Sequence, residues 1–454
     1  MSARDIAYNI LMDVEINKNY SNTSLNSFLR KSNLNDIDKG FITELVYGVI
    51  ENKRYIDYII NKVSKIKVRK MSHCVKVVLR MGVYQLLFLD GVADYAAINE
   101  SVNMIKKVDR KSSNFVNAVL RNISRKSDVT YIDENSIDNL SIKYSYNTWI
   151  VEKLVEEYGF EKTREIIRSL SEKPKIYVRI NINKVDEFLS FNELKSYIID
   201  EFKKCNIEAK CVSGIDIALE LVNFKNIDNN RLFKMGYISV QDISSMMVGL
   251  CMNPRQNSRV LDICAAPGGK TTHIAEIMRN TGEVISQDIY EHKMALINNY
   301  AKRLELSNIH TRLQDALILD EENIEKFDYV LCDVPCSGMG IVRRKPEIKY
   351  KDKEDIEKLP EIQLNILKNA SKYVKENGIL IYSTCTMFKD ENMDIVKRFL
   401  SENRDFQMER IDLNNIESES LKEGFIQILP NTNKMDGFFI CKLKKRNKLN
   451  IKNI

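Results

Sequence analysis

Two cysteines, Cys336 and Cys385, each lie just beyond an apolar run, in Asp333-Val334-Pro335-Cys336-Ser337-Gly338 and Ser383-Thr384-Cys385-Thr386. A thiolate in such a place is suited to adding to carbon-6 of a pyrimidine, which turns the unreactive carbon-5 into an enamine carbon able to attack an electrophilic methyl group. A base must then remove the carbon-5 proton so that the thiol is eliminated. A carboxyl group beside ring nitrogen-3 assists the addition, and Asp333 is placed for that task. Taken singly, either cysteine reads as a small buried apolar side chain, and Cys264 and Cys332 are placed in that class. Two cysteines at strand-end loops, one after Asp-x-Pro and one after Ser-Thr, point to chemistry instead.

The electrophile needs a holder. Cys264, Ala265, Ala266, Pro267, Gly268, Gly269 and Lys270 follow an apolar strand pattern and precede a helical one. The two glycines let the backbone approach a ligand, and the helix N-terminus favours a carboxylate. The spacing is not GxGxxG, so a dinucleotide is not the natural ligand. Asp288 ends the next strand, where an acid accepts hydrogen bonds from ribose hydroxyls; Asp315 follows the third, within reach of an adenine edge; Asp333 follows the fourth. Ligands of doubly wound sheets bind beyond the carboxyl ends of the strands. This series implies a nucleoside-containing ligand, and S-adenosylmethionine fits best.

The elements that must position these residues follow from periodicity. A chain of 454 residues with 44% apolar content predicts more than one core. From residue 3 to about 126 the apolar residues recur at helical spacing, as in Phe41, Ile42, Leu45, Val46, Val49 and Val75, Val78, Leu79, Val83, Leu86, Leu87. The expectation is an all-helical domain over 1–140, with a linker at 127–141, and a small mixed α/β segment over 141–235. Strand and helix patterns then alternate over 236–445, implying a parallel, doubly wound α/β sheet closed by an antiparallel hairpin over Phe425–Leu429 and Gly437–Leu443. A basic, disordered tail is expected from Lys442 to Ile454, with 446–454 outside the domain.

Charge adds a partner. Residues 1–126 hold 21 Lys+Arg against 12 Asp+Glu, whereas the whole chain carries only +6. The densest run is Lys62, Lys65, Lys67, Arg69, Lys70 and Lys76, with a second at Lys106, Lys107, Arg110 and Lys111. One run alone reads as a solvated helix face, but the concentration over the whole segment favours an RNA-facing surface. Nine cysteines without a CxxC pair and only four histidines argue against a zinc site or a disulfide framework. The absence of a signal-peptide pattern at Met1–Asp5 and of any apolar stretch near 20 residues predicts a cytoplasmic protein without membrane contact.

Asp262-Ile-Cys-Ala-Ala-Pro-Gly-Gly-Lys-Thr271, Asp333-Val-Pro-Cys-Ser-Gly338 with the following Arg343-Arg-Lys-Pro-Glu-Ile-Lys349, and Ser383-Thr-Cys-Thr386 resemble the signature motifs of the Nol/Nop/Sun-type RNA 5-methylcytosine methyltransferases. Leu45–Lys53, Leu79–Leu89, Ala96–Val102 and Asn114–Asn122 resemble the NusB-like helical domain fused to the bacterial members that act on 16S ribosomal RNA, and Gln241–Ser245 also fits the family. The resemblance thus covers nearly the whole chain. It implies an all-α NusB-like domain joined to a Rossmann-like methyltransferase domain through a small α/β extension. It makes Cys385 the nucleophile and Cys336 the residue of product release, and it gives Cys264–Lys270, Asp288, Asp315 and Asp333 cofactor-binding positions. Arg343, Arg344 and Lys345 are expected at RNA phosphate. The expected partner is 16S ribosomal RNA, naked or in an early small-subunit assembly intermediate, with no DNA, no metal and a monomeric enzyme. Val334 stands where alanine is usual and Thr386 where serine is common. Three other readings stay open: a DNA cytosine methyltransferase with Cys336 as nucleophile, an adenine amino-methyltransferase, for which Asp333–Cys336 lacks the stacking aromatic, and a non-catalytic RNA-binding assembly or antitermination factor.

Overall fold

The computed structural model describes residues 2–17, 21–30, 34–126, 130–224, 227, 229–413, 418–433 and 435–447. The chain divides into two compact units, Met1–Glu172 with Val342–Lys353 and Lys173–Ile341 with Glu354–Ile454.

The first unit is all helical. Its principal helices are Ala3–Asn17, Ser21–Arg30, Asp36–Glu51, Lys53–Val63, His73–Phe88, Asp94–Val108 and Ser113–Arg125. The apolar positions with helical spacing meet in one core: Ile42, Leu45, Val46 and Val49 pack with Val75, Val78, Leu79 and Val83, while Phe41, Leu86 and Leu87 lie half-buried against them. Within this core, Arg80 is buried, and its guanidinium takes Asp57 through two hydrogen bonds of 2.7 and 2.8 Å and Glu15 at 3.0 Å. The basic run shows its structural logic at Val68, which is buried while Lys62, Lys65, Lys67, Arg69 and Lys70 around it are exposed.

The unit extends beyond the boundary expected at 140. Ser136 accepts from the amide of Asn139 and starts the helix Ile137–Lys143 inside the expected linker; Thr148–Tyr158 and Phe160–Leu170 follow. The division therefore falls at Glu172. Less legible still is Val342–Lys353, distant in sequence but part of this unit. Asn147 donates to the Lys349 carbonyl at 2.9 Å, the Tyr350 hydroxyl to the Ile50 carbonyl at 2.7 Å and the Trp149 indole to the Lys351 carbonyl at 3.1 Å. Burial pushes the Lys349 ammonium down to about 8, with Glu51 opposing the shift.

In the second unit a four-stranded antiparallel sheet comprises β1 (Ile176–Ile180), β2 (Glu208–Cys211), β3 (Ala218–Val222) and β4 (Ile238–Val240), in the order β2-β3-β1-β4. The eight-stranded sheet contains β5 (Arg259–Asp262), β6 (Glu283–Asp288), β7 (Ile309–Leu313), β8 (Phe327–Asp333), β9 (Val374–Thr384), β10 (Phe406–Met408), β11 (Phe425–Ile428) and β12 (Phe438–Lys445). Its order is β10-β12-β9-β8-β5-β6-β7, with β11 also paired to β12. Strands β5 to β9 pair in parallel and β12 runs antiparallel to β9, so the expected hairpin closes the sheet. Lys442–Lys445, expected in the tail, belong to β12, because alternate residues Cys441 and Leu443 are buried against the sheet; residues 448–454 of that expectation lie outside the described residues. No helix among the described residues is long and apolar enough to cross a membrane.

The order β8-β5-β6 puts a topological switch at β5, because the chain leaves this strand for β6 on one side and returns as β8 on the other. Loops there diverge and leave a crevice. The four-stranded sheet is tied to the helix Gly269–Ile277 by a buried ion pair: Arg179 of β1, wholly shielded from water, meets Glu276 at 2.8 and 2.9 Å and donates to the Gly269 carbonyl at 3.1 Å. Arg179→Met strands the Glu276 carboxylate, whose pKa burial already raises against the pull of Arg179. The expected cost is about 3–5 kcal/mol of stability, read as a shifted urea midpoint.

Candidate active site

The register of the parallel sheet builds the site. Asp333 at the end of β8 lies beside Ser383 near the end of β9, so the loops after these strands start together. Cys336 and Cys385, 49 residues apart in sequence, then stand with their Sγ atoms 3.2 Å apart. Between the strand ends, Asp333 accepts from Ser383 Oγ through Oδ1 and from Lys270 Nζ through Oδ2, each at 2.7 Å. Cys336, Cys385, Asp333 and Lys270 all retain some exposed surface, while Ser337, Ser383 and Thr386 behind them are buried. Reactive groups thus face outward from a dry floor.

Two effects tune these groups. The hydrogen bond to Cys385 and then burial hold the Cys336 thiol well above its ordinary value, with the Cys385 and Glu391 charges adding to the shift. Either sulfur of the pair can donate in that contact. Removal from water opposes the Lys270 charge, but Asp333, with further help from Cys385 and Asp262, keeps its pKa raised. Cys264 and Cys332 are different: burial pushes both thiols well up, and their side chains join the apolar packing.

The cofactor-loop residues also converge. Ala265 donates to the Gln287 carbonyl at 2.8 Å and Ala266 to Asp288 Oδ2 at 3.3 Å, which seats Cys264–Pro267 over the end of β6. Gly268 caps the helix Gly269–Ile277 at φ 104°, and a Cβ there would lie 3.2 Å from Ile297 Cα; only glycine fits. Asp288 also accepts from Tyr290 N–H, and Asp315, just past β7, accepts from Leu317 N–H at 2.9 Å. A helix N-terminus, a close-approach glycine and carboxylates at successive strand ends suit, respectively, the carboxylate, the backbone-packed chain and the ribose and adenine donors of S-adenosylmethionine.

The sequence reading omitted several residues. Ser383 orients Asp333, and Asp262 fastens the helix that begins at Gly269 by accepting from Thr271 Oγ1 at 2.6 Å. Burial pushes the Asp262 carboxyl up to about 7, from 3.8. The folded chain therefore keeps a proton that the unfolded chain releases between about pH 4 and 7, and this group lowers stability as pH rises through that window. Asp262→Asn is expected to raise the melting temperature at pH 8 more than at pH 4, as thermal melts at the two pH values would show. Of the departures, Val334 is buried in the apolar core and Thr386 Oγ1 contacts Ser337 Oγ at 2.7 Å, a bond that serine could also make. Arg343, Arg344 and Lys345 lie in the segment 342–353 of the first unit; the two arginines are half-buried and Lys345 is exposed.

Residues 249–444 match the family described as 16S rRNA methyltransferase RsmB/F, and residues 1–125 match the NusB family. A probable ribosomal RNA small subunit methyltransferase B from Bacillus subtilis is 38% identical over 98% of this chain and 99% of its own. The chain belongs to the RsmB/F family. A probable member of the same name from Synechocystis is 31% identical over 98% of this chain and all of its own length. The crystal structure of a methyltransferase homolog protein from Pyrococcus horikoshii covers 68% of this chain and 99% of its own at 26% identity, with a TM-score of 0.58. As an RsmB/F member the chain is an rRNA methyltransferase, and membership implies dependence on S-adenosylmethionine.

Proposed function

We propose that this RsmB/F enzyme methylates carbon-5 of one cytosine in 16S ribosomal RNA through a covalent bond between Cys385 and carbon-6. The observation that carries the reading is the meeting of Cys336 and Cys385 at 3.2 Å beside the Asp333–Lys270 pair.

Cys385 adds as thiolate to carbon-6, and nitrogen-3 takes a proton held between Lys270 and Asp333. S-adenosylmethionine, when bound by Cys264–Lys270, Asp288 and Asp315, supplies the electrophilic methyl group. With Cys385 consumed, the partner that kept the Cys336 proton is gone, and Cys336 loses it to solvent. The Cys336 thiolate then removes the carbon-5 proton, the carbon–sulfur bond breaks, Cys385 leaves as thiolate, and the nitrogen-3 proton returns to the Lys270–Asp333 pair.

The substrate is naked RNA or an early assembly intermediate, and the exposed Lys62–Lys70 run supplies phosphate contacts. Unmodified 16S transcript incubated with enzyme and labelled S-adenosylmethionine, then digested to nucleosides, is expected to yield label in 5-methylcytidine at one position. Label in another nucleoside would overturn the reading.

A further inference from the structure

Behind the two reactive thiols sits a pair of chain neighbours that the mechanism above does not use. Glu391 ends the short turn Lys389–Glu391, and Asn392 precedes the helix Met393–Glu402. Both are shielded from water, at 0% and 1% exposure. A carboxylate in such a place is costly to bury unless it is bonded, and Glu391 is bonded in a telling way. Its Oε2 accepts from Ser337 N–H and from the Gln363 amide, each at 2.8 Å, and the same amide donates to the Pro335 carbonyl at 3.0 Å. Pro335 and Ser337 are the two neighbours of Cys336.

Asn392 does the same on the other side. Its amide donates to the Thr386 carbonyl at 3.1 Å and its Oδ1 accepts from Thr384 Oγ1. Thr384 and Thr386 are the two neighbours of Cys385. The Tyr382 hydroxyl holds the Glu391 carbonyl at 2.6 Å, fixing the turn to β9, and Ser337 Oγ meets Thr386 Oγ1 at 2.7 Å where the brackets touch.

We propose that Glu391 and Asn392 are positioning residues that set the two thiols independently, Glu391 acting through residues 335–337 on Cys336 and hence on release, Asn392 acting through residues 384–386 on Cys385 and hence on attack. The inference rests on the assignment of attack to Cys385 and release to Cys336. A fold-stabilising role alone would slow both steps together, whereas separate brackets split them. Misplacing a reacting group by a fraction of an ångström is enough to slow its own step.

The test measures single-turnover methyl transfer, multiple turnover and RNA–protein adduct on denaturing gels for full-length variants whose melting temperatures are recorded. Glu391→Ala is expected to accumulate adduct and to slow multiple turnover about tenfold, with single-turnover transfer within about threefold of wild type. Asn392→Ala is expected to slow single-turnover transfer about tenfold without accumulating adduct. Glu391→Gln keeps an oxygen to accept both N–H groups and should restore turnover to within about threefold of wild type. If Glu391→Ala does not fold, Gln363→Leu, which removes the Pro335 tie, should reproduce adduct accumulation. Equal slowing of both steps in both variants, or no adduct in either Glu391→Ala or Gln363→Leu, overturns the proposal. A Glu391→Gln defect as deep as that of Glu391→Ala overturns it too, because charge rather than placement would then be at work. Cys336→Ala run alongside separates the two levels: if that variant forms no adduct, the cysteine assignment fails first and the bracket proposal falls with it.

Discussion

Cys336→Ala is expected to trap the RNA. Incubated with 16S transcript and S-adenosylmethionine, this variant should give a slow-migrating band on a denaturing gel that carries the methyl label, one methyl per protein, with no further turnover. Cys385→Ala should give neither band nor label, a loss of roughly 10³-fold or more in methyl transfer, because a nucleophile has no substitute in the site. The asymmetry follows from the roles proposed for the two cysteines. Contact with Cys385 and burial hold the Cys336 thiol well up, which keeps Cys336 protonated and leaves attack to Cys385 in the proposed order of steps. Removing Cys336 leaves an enzyme able to add to carbon-6 and unable to leave it. Removing Cys385 leaves nothing to add. The reverse pattern, adduct with Cys385→Ala and none with Cys336→Ala, would assign attack to Cys336 and move the chemistry to the DNA-type order. A thiol pair that merely packed together would show no adduct in either variant.

Why some of this was legible in the sequence and some was not has a physical answer. Residues whose type is dictated locally announce themselves. Gly268 must be glycine at φ 104°, and Asp333 and Cys336 flank Val334-Pro335 just where strand β8 ends. Residues whose role is made by the register of distant strands do not. Ser383 is one more hydroxyl until β8 and β9 align it with Asp333, and Glu391 reads as a surface acid in Lys389-Asp390-Glu391 until the fold carries it beneath Cys336. Arg179 looks like a polar interruption of an apolar strand, and only the packing shows that it faces Glu276. Strands β4 and β10, of three residues each, are too short for a period to register. The return of Val342–Lys353 to the helical unit escapes for a related reason: its Tyr350 makes sense only against helices some 300 positions away in sequence, as its bond to Ile50 illustrates.

Asp333→Asn is expected to stop the reaction at an earlier point than Cys336→Ala does. The substitution keeps the shape and leaves an oxygen for Ser383 or Lys270, so the strand ends should hold. It removes the negative charge that now receives the Lys270 ammonium at 2.7 Å and keeps that ammonium protonated. Without the pair, the proton that nitrogen-3 takes during addition is no longer held where carbon-6 is attacked. General-acid assistance of this kind contributes about 10²–10⁴-fold, and a loss of that size in methyl transfer is expected. The informative measurement is the double variant Asp333→Asn, Cys336→Ala, followed by the time course of adduct. If Asp333 serves addition, adduct formation in the double variant slows by the same factor as methyl transfer in the single one. If adduct instead appears as fast as in Cys336→Ala alone, Asp333 acts after the carbon–sulfur bond has formed, and its place beside Lys270 would then serve the seating of the cofactor rather than the proton on the ring. Binding of S-adenosylmethionine to Asp333→Asn by calorimetry separates that case directly, because a seating role weakens binding and a role in addition leaves it near the wild-type value.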